Sequence, residues 1–213
     1  MLIQYHKSIT HKALSEHFSL RALDAILAAN IKQDDLLTGQ IGHNEYHYDN
    51  NAIAEADRYL EEQRRLTLSA LQDEDPPAAW AAFGRLIHTA QDFYAHTNYV
   101  DLWLAHFFRD GQTPPPPPEI APLMDELVHD PELHSGILYY PWEVLAFIPL
   151  VKRLVIPLLP EDSHAHMHLD SPARGKRFTY AFEAAVKRTQ YEFDKTVAGL
   201  LPGIDALFTN LPS

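Results

Sequence analysis

Apolar residues recur along this chain with the period of an α-helix, and no stretch alternates with the two-residue period of a half-buried strand. The pattern predicts an all-α fold. Leu14, Phe18, Ala22 and Ile26 recur every four residues and Leu23 and Leu27 widen their stripe, so a first helix is expected over residues 10–28, capped by Thr10. The polar stretch 30–51 reads as a loop. A second helix is expected over residues 52–71, with Asn50 or Asn51 as its cap and Glu and Arg along a solvated face. A third starts after Asp75, where Pro76 and Pro77 suit a first turn, and runs through Trp80, Phe83, Ile87 and Phe93.

Beyond it the signals shorten. Residues 102–108 read as helical, and Pro114 to Pro118 form a stiff polyproline segment that cannot continue a helix, an excursion over residues 111–119. Shorter helices are expected over 119–128 and 140–154, the latter broken at Pro149. A last long helix is expected to open at Ser171-Pro172 and run through Phe178, Phe182 and Val186 towards Leu200. No internal repeat interrupts the series, and 213 residues with 46% hydrophobic content suffice for one core, so residues 1–213 read as a single compact multi-helix domain.

Charge and composition narrow the chemistry. A formal net charge of -12 repels nucleic-acid phosphates, which disfavours a nucleic-acid partner. The absence of Cys leaves only nitrogen and oxygen as metal donors, and 13 His stand ready to supply nitrogen. The first ten residues lack the basic segment and apolar run of a secretory signal, so the chain reads as cytoplasmic or exported by another route. Glu143, Pro149, Lys152, Arg153 and Pro157 interrupt the most apolar stretch, 137–160, so no transmembrane segment is expected.

The His residues fall in three clusters. In the third predicted helix, His88, Asp92 and His96 lie four apart and share one face. A hydrogen-bonded His–Asp pair is common at this spacing; the third member sets this one apart. Asp92, with two oxygens between two imidazoles, is suited to bridge two metal ions. A second cluster, His43, Glu45, His47 and Asp49, places an acid or imidazole at every second position of the predicted loop. The third is His164, His166, His168 and Asp170, where His164 and His168 can flank one metal if helical.

At these residues the chain resembles the zinc-dependent phospholipase C family, related in fold to the S1/P1-type nucleases and more loosely to heterokaryon-incompatibility-C-like proteins. The resemblance rests on Ile9-Thr10-His11, on His47-Tyr48-Asp49, on residues 86–98 (LIHTAQDFYAHTN), its most specific part, and on residues 164–172. It implies the phospholipase C/P1 nuclease fold and two or three zinc ions. One ion would take His47, His88, Asp92 and Asp35, with Asp34 as the alternative. A second would take His96, His164 and His168, which stands where the family has Glu, or else Asp170. A third would take His11 and a shared Asp92, altered here by use of His6 or left empty, because the family's amino-terminal Trp is missing.

The implied activity is phosphodiester hydrolysis by a metal-bound hydroxide, most closely of the phospholipase C kind. Asp35 and Asp92 would be catalytic, with Asp35 accepting the proton and His43 and Glu45 orienting the ligands. Tyr139, Tyr140, Trp142, Phe147, Ile148 and Leu150 would meet the phospholipid at a transient membrane-surface contact, unless they pack internally. A single-strand nuclease and a non-catalytic metal-binding protein of the same fold are the alternatives.

Overall fold

The computed structural model describes residues 1–40, 42–109, 111–146 and 151–211. They form α1 (Ile3–Leu14), α2 (Leu20–Lys32), α3 (Asn44–His47), α4 (Ile53–Gln72), α5 (Pro76–His96), α6 (Tyr99–Arg109), α7 (Asp125–Val128), α8 (Trp142–Ala146), α9 (Lys152–Val155), α10 (His164–Met167), α11 (Lys176–Ala198) and α12 (Asp205–Thr209). The fold is all-α, with no strand among the described residues. No helix among them is long and apolar enough to cross a membrane.

Helix α5 is the axis of the molecule. It opens as the sequence suggests, with Asp75 accepting from the Ala78 amide and two prolines in the first turn, where the missing N–H groups cost nothing. α2, α4 and α11 pack around it, and α1 lies across α2 and α11. Every residue from 86 to 97 is buried, so α5 is a helix enclosed on all sides rather than an amphipathic one. Its polar residues His88, Thr89, Gln91, Asp92 and His96 therefore have to find partners inside the protein.

The expected first helix is two helices. Ser19 accepts from the Ala22 amide and caps a separate α2, so the stripe Leu14, Phe18, Ala22 and Ile26 spans a break. The four residues keep one period because both helices face the same core. Asn50 and Asn51 do not cap α4; they adopt positive φ, and their side-chain oxygens accept from the amides of Leu138 and Ser135. The proline run lies against α11, held by a hydrogen bond from the Tyr180 hydroxyl to the Pro115 carbonyl. The Ser171-Pro172 signal makes a 3-10 turn, Pro172–Arg174, and α11 starts only after Gly175. Of the stretch 119–128 only α7 is α-helical. Phe147, Ile148, Pro149 and Leu150 lie outside the described residues.

One close approach fixes α5 against α2. A Cβ on Gly84 would lie 2.4 Å from the Ile26 carbonyl oxygen and 2.7 Å from the Ala29 Cβ. Mid-helix Gly→Ala ordinarily stabilises by about 0.5–1 kcal/mol. Here the helices would have to part, an overpacking cost of about 1–3 kcal/mol that reverses the sign. Gly84→Ala is therefore expected to lower the urea midpoint.

Candidate metal centre

Four residues from three elements converge on Asp92 of α5. Its Oδ1 lies 3.2 Å from His6 Nε2 of α1, and its Oδ2 lies 3.2 Å from His88 Nε2 and 2.9 Å from His47 Nδ1 of α3. Asp34, just past α2, stands 3.9 Å from both His6 Nε2 and His88 Nε2. His6, His88 and Asp92 are wholly buried.

The tautomer of His6 is set from behind. Gln91 Nε2 donates to the hydroxyls of Thr10 and Thr189, each at 3.1 Å, and Thr189 passes its own proton to the Ala185 carbonyl. The Gln91 oxygen therefore faces His6, where His6 Nδ1 donates to it at 2.6 Å and Asn30 Nδ2 donates at 3.3 Å. With its proton on Nδ1, the neutral ring directs the Nε2 lone pair at two carboxylates. That nitrogen makes no hydrogen bond, nor do Asp34 Oδ2, His47 Nε2 and His88 Nδ1, all of them buried.

A buried lone pair facing carboxylate oxygens is unfavourable unless a cation stands between them. In a tetrahedral zinc site with bonds near 2.0–2.1 Å, neighbouring donors lie about 3.3 Å apart. The donor atoms of His6, Asp34, His88 and Asp92, spaced at 3.2 to 3.9 Å in the contacts above and all within 4.8 Å of one another, suit such an ion after small shifts. Two nitrogens and two oxygens match zinc chemistry in a thiol-free site.

A second group, Asp49, His96 and His164, adjoins the first. His96 Nδ1 donates to the His47 carbonyl at 2.8 Å, and His164 Nδ1 lies 2.9 Å from Asp49 Oδ1. Asp49 therefore orients imidazoles by their Nδ1 atoms, as an outer carboxylate does around a metal ligand. His96 Nε2 then faces Asp170 Oδ1 at 3.2 Å and Asp92 Oδ1 at 4.0 Å. The Met1 amino nitrogen sits in the same space, paired with Asp92 and lying 3.3 Å from Asp170 and 3.4 Å from His96 Nε2.

Local backbone geometry delivers these groups. Tyr48, with φ of 59°, ends α3 in the left-handed conformation and sends His47 and Asp49 to adjacent parts of the cluster. Its buried phenol donates to Asp57 at 2.6 Å. Gly136 threads between α5 and α10: its amide donates to the His96 carbonyl, and a Cβ there would meet His164 Cα at 2.6 Å.

The electrostatics favour a cation. Burial opposes the charge on the Met1 ammonium, but Asp170, Asp92 and Asp34 outweigh it and raise its pKa to about 11. Burial likewise opposes ionisation of Asp92, yet the Met1 ammonium and the surrounding imidazoles hold its carboxyl well below the usual range.

Of the residues implied by the resemblance, His47, His88, Asp92, His96 and His164 come together. His11 does not: it is exposed, about 140° around α1 from His6 at 100° per residue. Asp35 is exposed too, its Oδ1 accepting from Leu37 N, Thr38 N and the Thr38 hydroxyl, so it pins a turn while Asp34 points inward. His168 joins neither donor group: it lies 2.9 Å from Asp170 Oδ2 and stacks on His164 with ring centroids 5.4 Å apart. His43 pairs with Glu45 and stacks on Tyr46 at the rim. Sequence reasoning assigned no role to Gln91 and none as a ligand to Asp49, although the alternating acids and imidazoles of residues 43–49 already marked the latter.

Comparison with known proteins supplies one match. The family model of the VWA7 N-terminal domain matches residues 4–115, just over half of the chain, and the chain belongs to that family. No curated protein and no solved structure matches it.

Burial lowers the His88 pKa from an ordinary 6.5 to about 4. Between those values the unfolded chain binds a proton that the folded chain refuses, so stability is lost as pH falls through this window. Burial acts on His168 in the same direction. For His96, burial is outweighed by Asp92 and Asp49, which raise its pKa well above 6.5; its contribution is complete below 6.5 and lost as pH rises. Metal-free protein is expected to melt highest near pH 6.5, and His88→Gln to flatten the acid limb in thermal scans with chelator.

Proposed function

We propose that this member of the VWA7 N-terminal domain family is a zinc-dependent phosphodiester hydrolase of the phospholipase C kind. The observation that carries the reading is the orphaned Nε2 of His6, fixed by Gln91 and aimed with His88 Nε2 at the carboxylates of Asp34 and Asp92. His6, Asp34, His88 and Asp92 would hold one ion. His96 and Asp170, together with Asp92, would hold another, with His164 beside them. Zinc bound there supplies positive charge to a phosphodiester and lowers the pKa of a water. Asp92 joins the two groups. Asp34, 9% exposed where His88 and Asp92 are closed off, is the donor best placed to accept a proton from that water. The resemblance of residues 86–98 to the phospholipase C helix supports the same reading.

Access comes from one side. Side-chain exposure rises from nil at Asp92 to 17% at Asp170 and 26% at His168, so substrate would approach past the last two. Tyr140, Trp142, Leu154 and Leu158 are exposed large apolar side chains on the α8–α9 segment, a surface suited to lipid. The net charge of -12 favours such a substrate over a polynucleotide. The complete burial of His6, His88 and Asp92 favours a second reading, a closed non-catalytic metal site that braces α1 against α5.

Metal analysis with assays on phosphatidylcholine and single-stranded DNA separates these readings. Asp92→Asn and Asp34→Asn are expected to lose zinc and phospholipid hydrolysis, while Asp35→Asn and His11→Ala retain both. Equal zinc in wild type and Asp92→Asn would falsify the bridging role; zinc without either hydrolysis would establish the closed site. Replacing Trp142 and Leu158 by Ala should lower activity on phosphatidylcholine vesicles about a hundredfold more than on a soluble phosphodiester, since each apolar side chain contributes about 1.5–3 kcal/mol when fully buried. An equal fall on both substrates would assign the segment to packing.

A further inference from the structure

A cavity of about 450 Å³ opens on the far side of the segment that carries His168 and Asp170. His168 has extended backbone, with φ of -56° and ψ of 139°, and side chains of extended chain alternate between faces. Leu169 accordingly lines the cavity, whereas His168 and Asp170 do not. The volume is enough for a small molecule. The cavity is separate from the metal centre and does not rest on the function proposed above.

Two guanidinium groups border it, and their situations differ. Arg177 is neutralised by Asp101, with Nε 2.9 Å from the carboxylate. Arg174 is half-buried, and its Nη2 donates to the Ala165 carbonyl. Among the described residues no carboxylate lies within salt-bridge distance of it: burial works against its charge, and Asp170 supports it only from farther away. A half-buried charge without a contact partner is costly, and an anion in the cavity removes that cost. The planar fork of a guanidinium matches two oxygens of one oxyanion, and Met167, Leu169 and Ala173 supply an apolar part of the wall beside it. Asp101 and Glu161 on the walls disfavour a polyanion and leave room for an ion of one or two charges.

We propose that this cavity is a binding site for a small oxyanion, a phosphate or a carboxylate, anchored by the Arg174 guanidinium. Isothermal titration calorimetry of the full chain with inorganic phosphate, and separately with acetate, tests it. One of the two anions should bind, phosphate more tightly if the natural ligand carries a phosphate and acetate if it carries a carboxylate. Arg174→Gln should weaken binding by about tenfold or more, the scale of a charge-assisted hydrogen bond. Protein freed of metal by dialysis against chelator should bind the anion as untreated protein does, because the metal centre takes no part. Should Arg174→Gln lose its helical circular dichroism, Arg174→Lys, which keeps the charge but not the fork, carries the comparison with an expected loss of about threefold. Unchanged affinity in the Arg174 variant that folds, loss of binding on removal of metal, or no binding of either anion by wild type would each overturn the proposal.

Discussion

A single ionised carboxylate, Asp92, sits at zero exposure in the middle of a helix enclosed on every side. Moving such a charge out of water costs several kcal/mol even after relaxation, and the interior must return that energy through positive or hydrogen-donating groups. The elements around α5 are arranged to do so. The Met1 ammonium ahead of α1 pairs with Asp92, the short α3 brings His47 Nδ1, and α5 itself supplies His96 one turn on. Helix α3 has four residues, too few to be stable alone, and its position follows from the bonds its His47 and the adjoining Tyr48 make.

The same fold contains a second buried carboxylate, and the contrast is informative. Glu192 on α11 is also fully buried, but it is met by Arg64 from α4 and by Arg188 one turn earlier, Arg188 Nε donating at 2.7 Å. Burial opposes its ionisation, and the two guanidiniums outweigh burial and lower its pKa. That cluster carries two permanent cations for its one carboxylate, although the Arg64 Nε itself makes no hydrogen bond. Around Asp92 the Met1 ammonium is the one permanent cation in contact among the described residues; the other partners are imidazoles, and several of their nitrogens meet nothing. A structural ion pair closes itself; this arrangement calls for a further cation.

Much of this was legible in the residues. The spacing of His88, Asp92 and His96 placed them on one helical face, and Asp75-Pro76-Pro77 marked where that helix begins. What the pattern could not convey is which of two neighbouring polar residues turns inward. His6 lies on the buried face of α1 with Ile9, Thr10 and Ala13, and His11, about 140° around the helix, is exposed; Asp34 and Asp35 differ by one position, and the turn capped by Asp35 decides between them. The break at Ser19 was hidden for a related reason, because two helices facing one core can keep a single apolar period across the gap. The choice of His6 rests on contacts with Gln91 and Asp92 far away in the chain, whereas the Ser19 cap and the Asp35 turn are local bonds over two or three residues that an apolar period does not report.

The extent of the family match bears on how the centre is divided. Residues 4–115 contain His6, Asp34, His47, Asp49, His88, Asp92 and His96, so the first donor group lies wholly within the matched segment. His164, His168 and Asp170 lie beyond it. The buried half of the cluster is thus a property of the matched helices, which also supply the Gln91 relay that sets the His6 tautomer, with Thr189 of α11 as its one member from outside. The side that meets solvent is built by the later segment, where exposure rises towards His168. If the centre holds an ion, its buried donors and its more exposed Asp170 and His168 therefore come from different stretches of chain, and only the former lie in the matched segment.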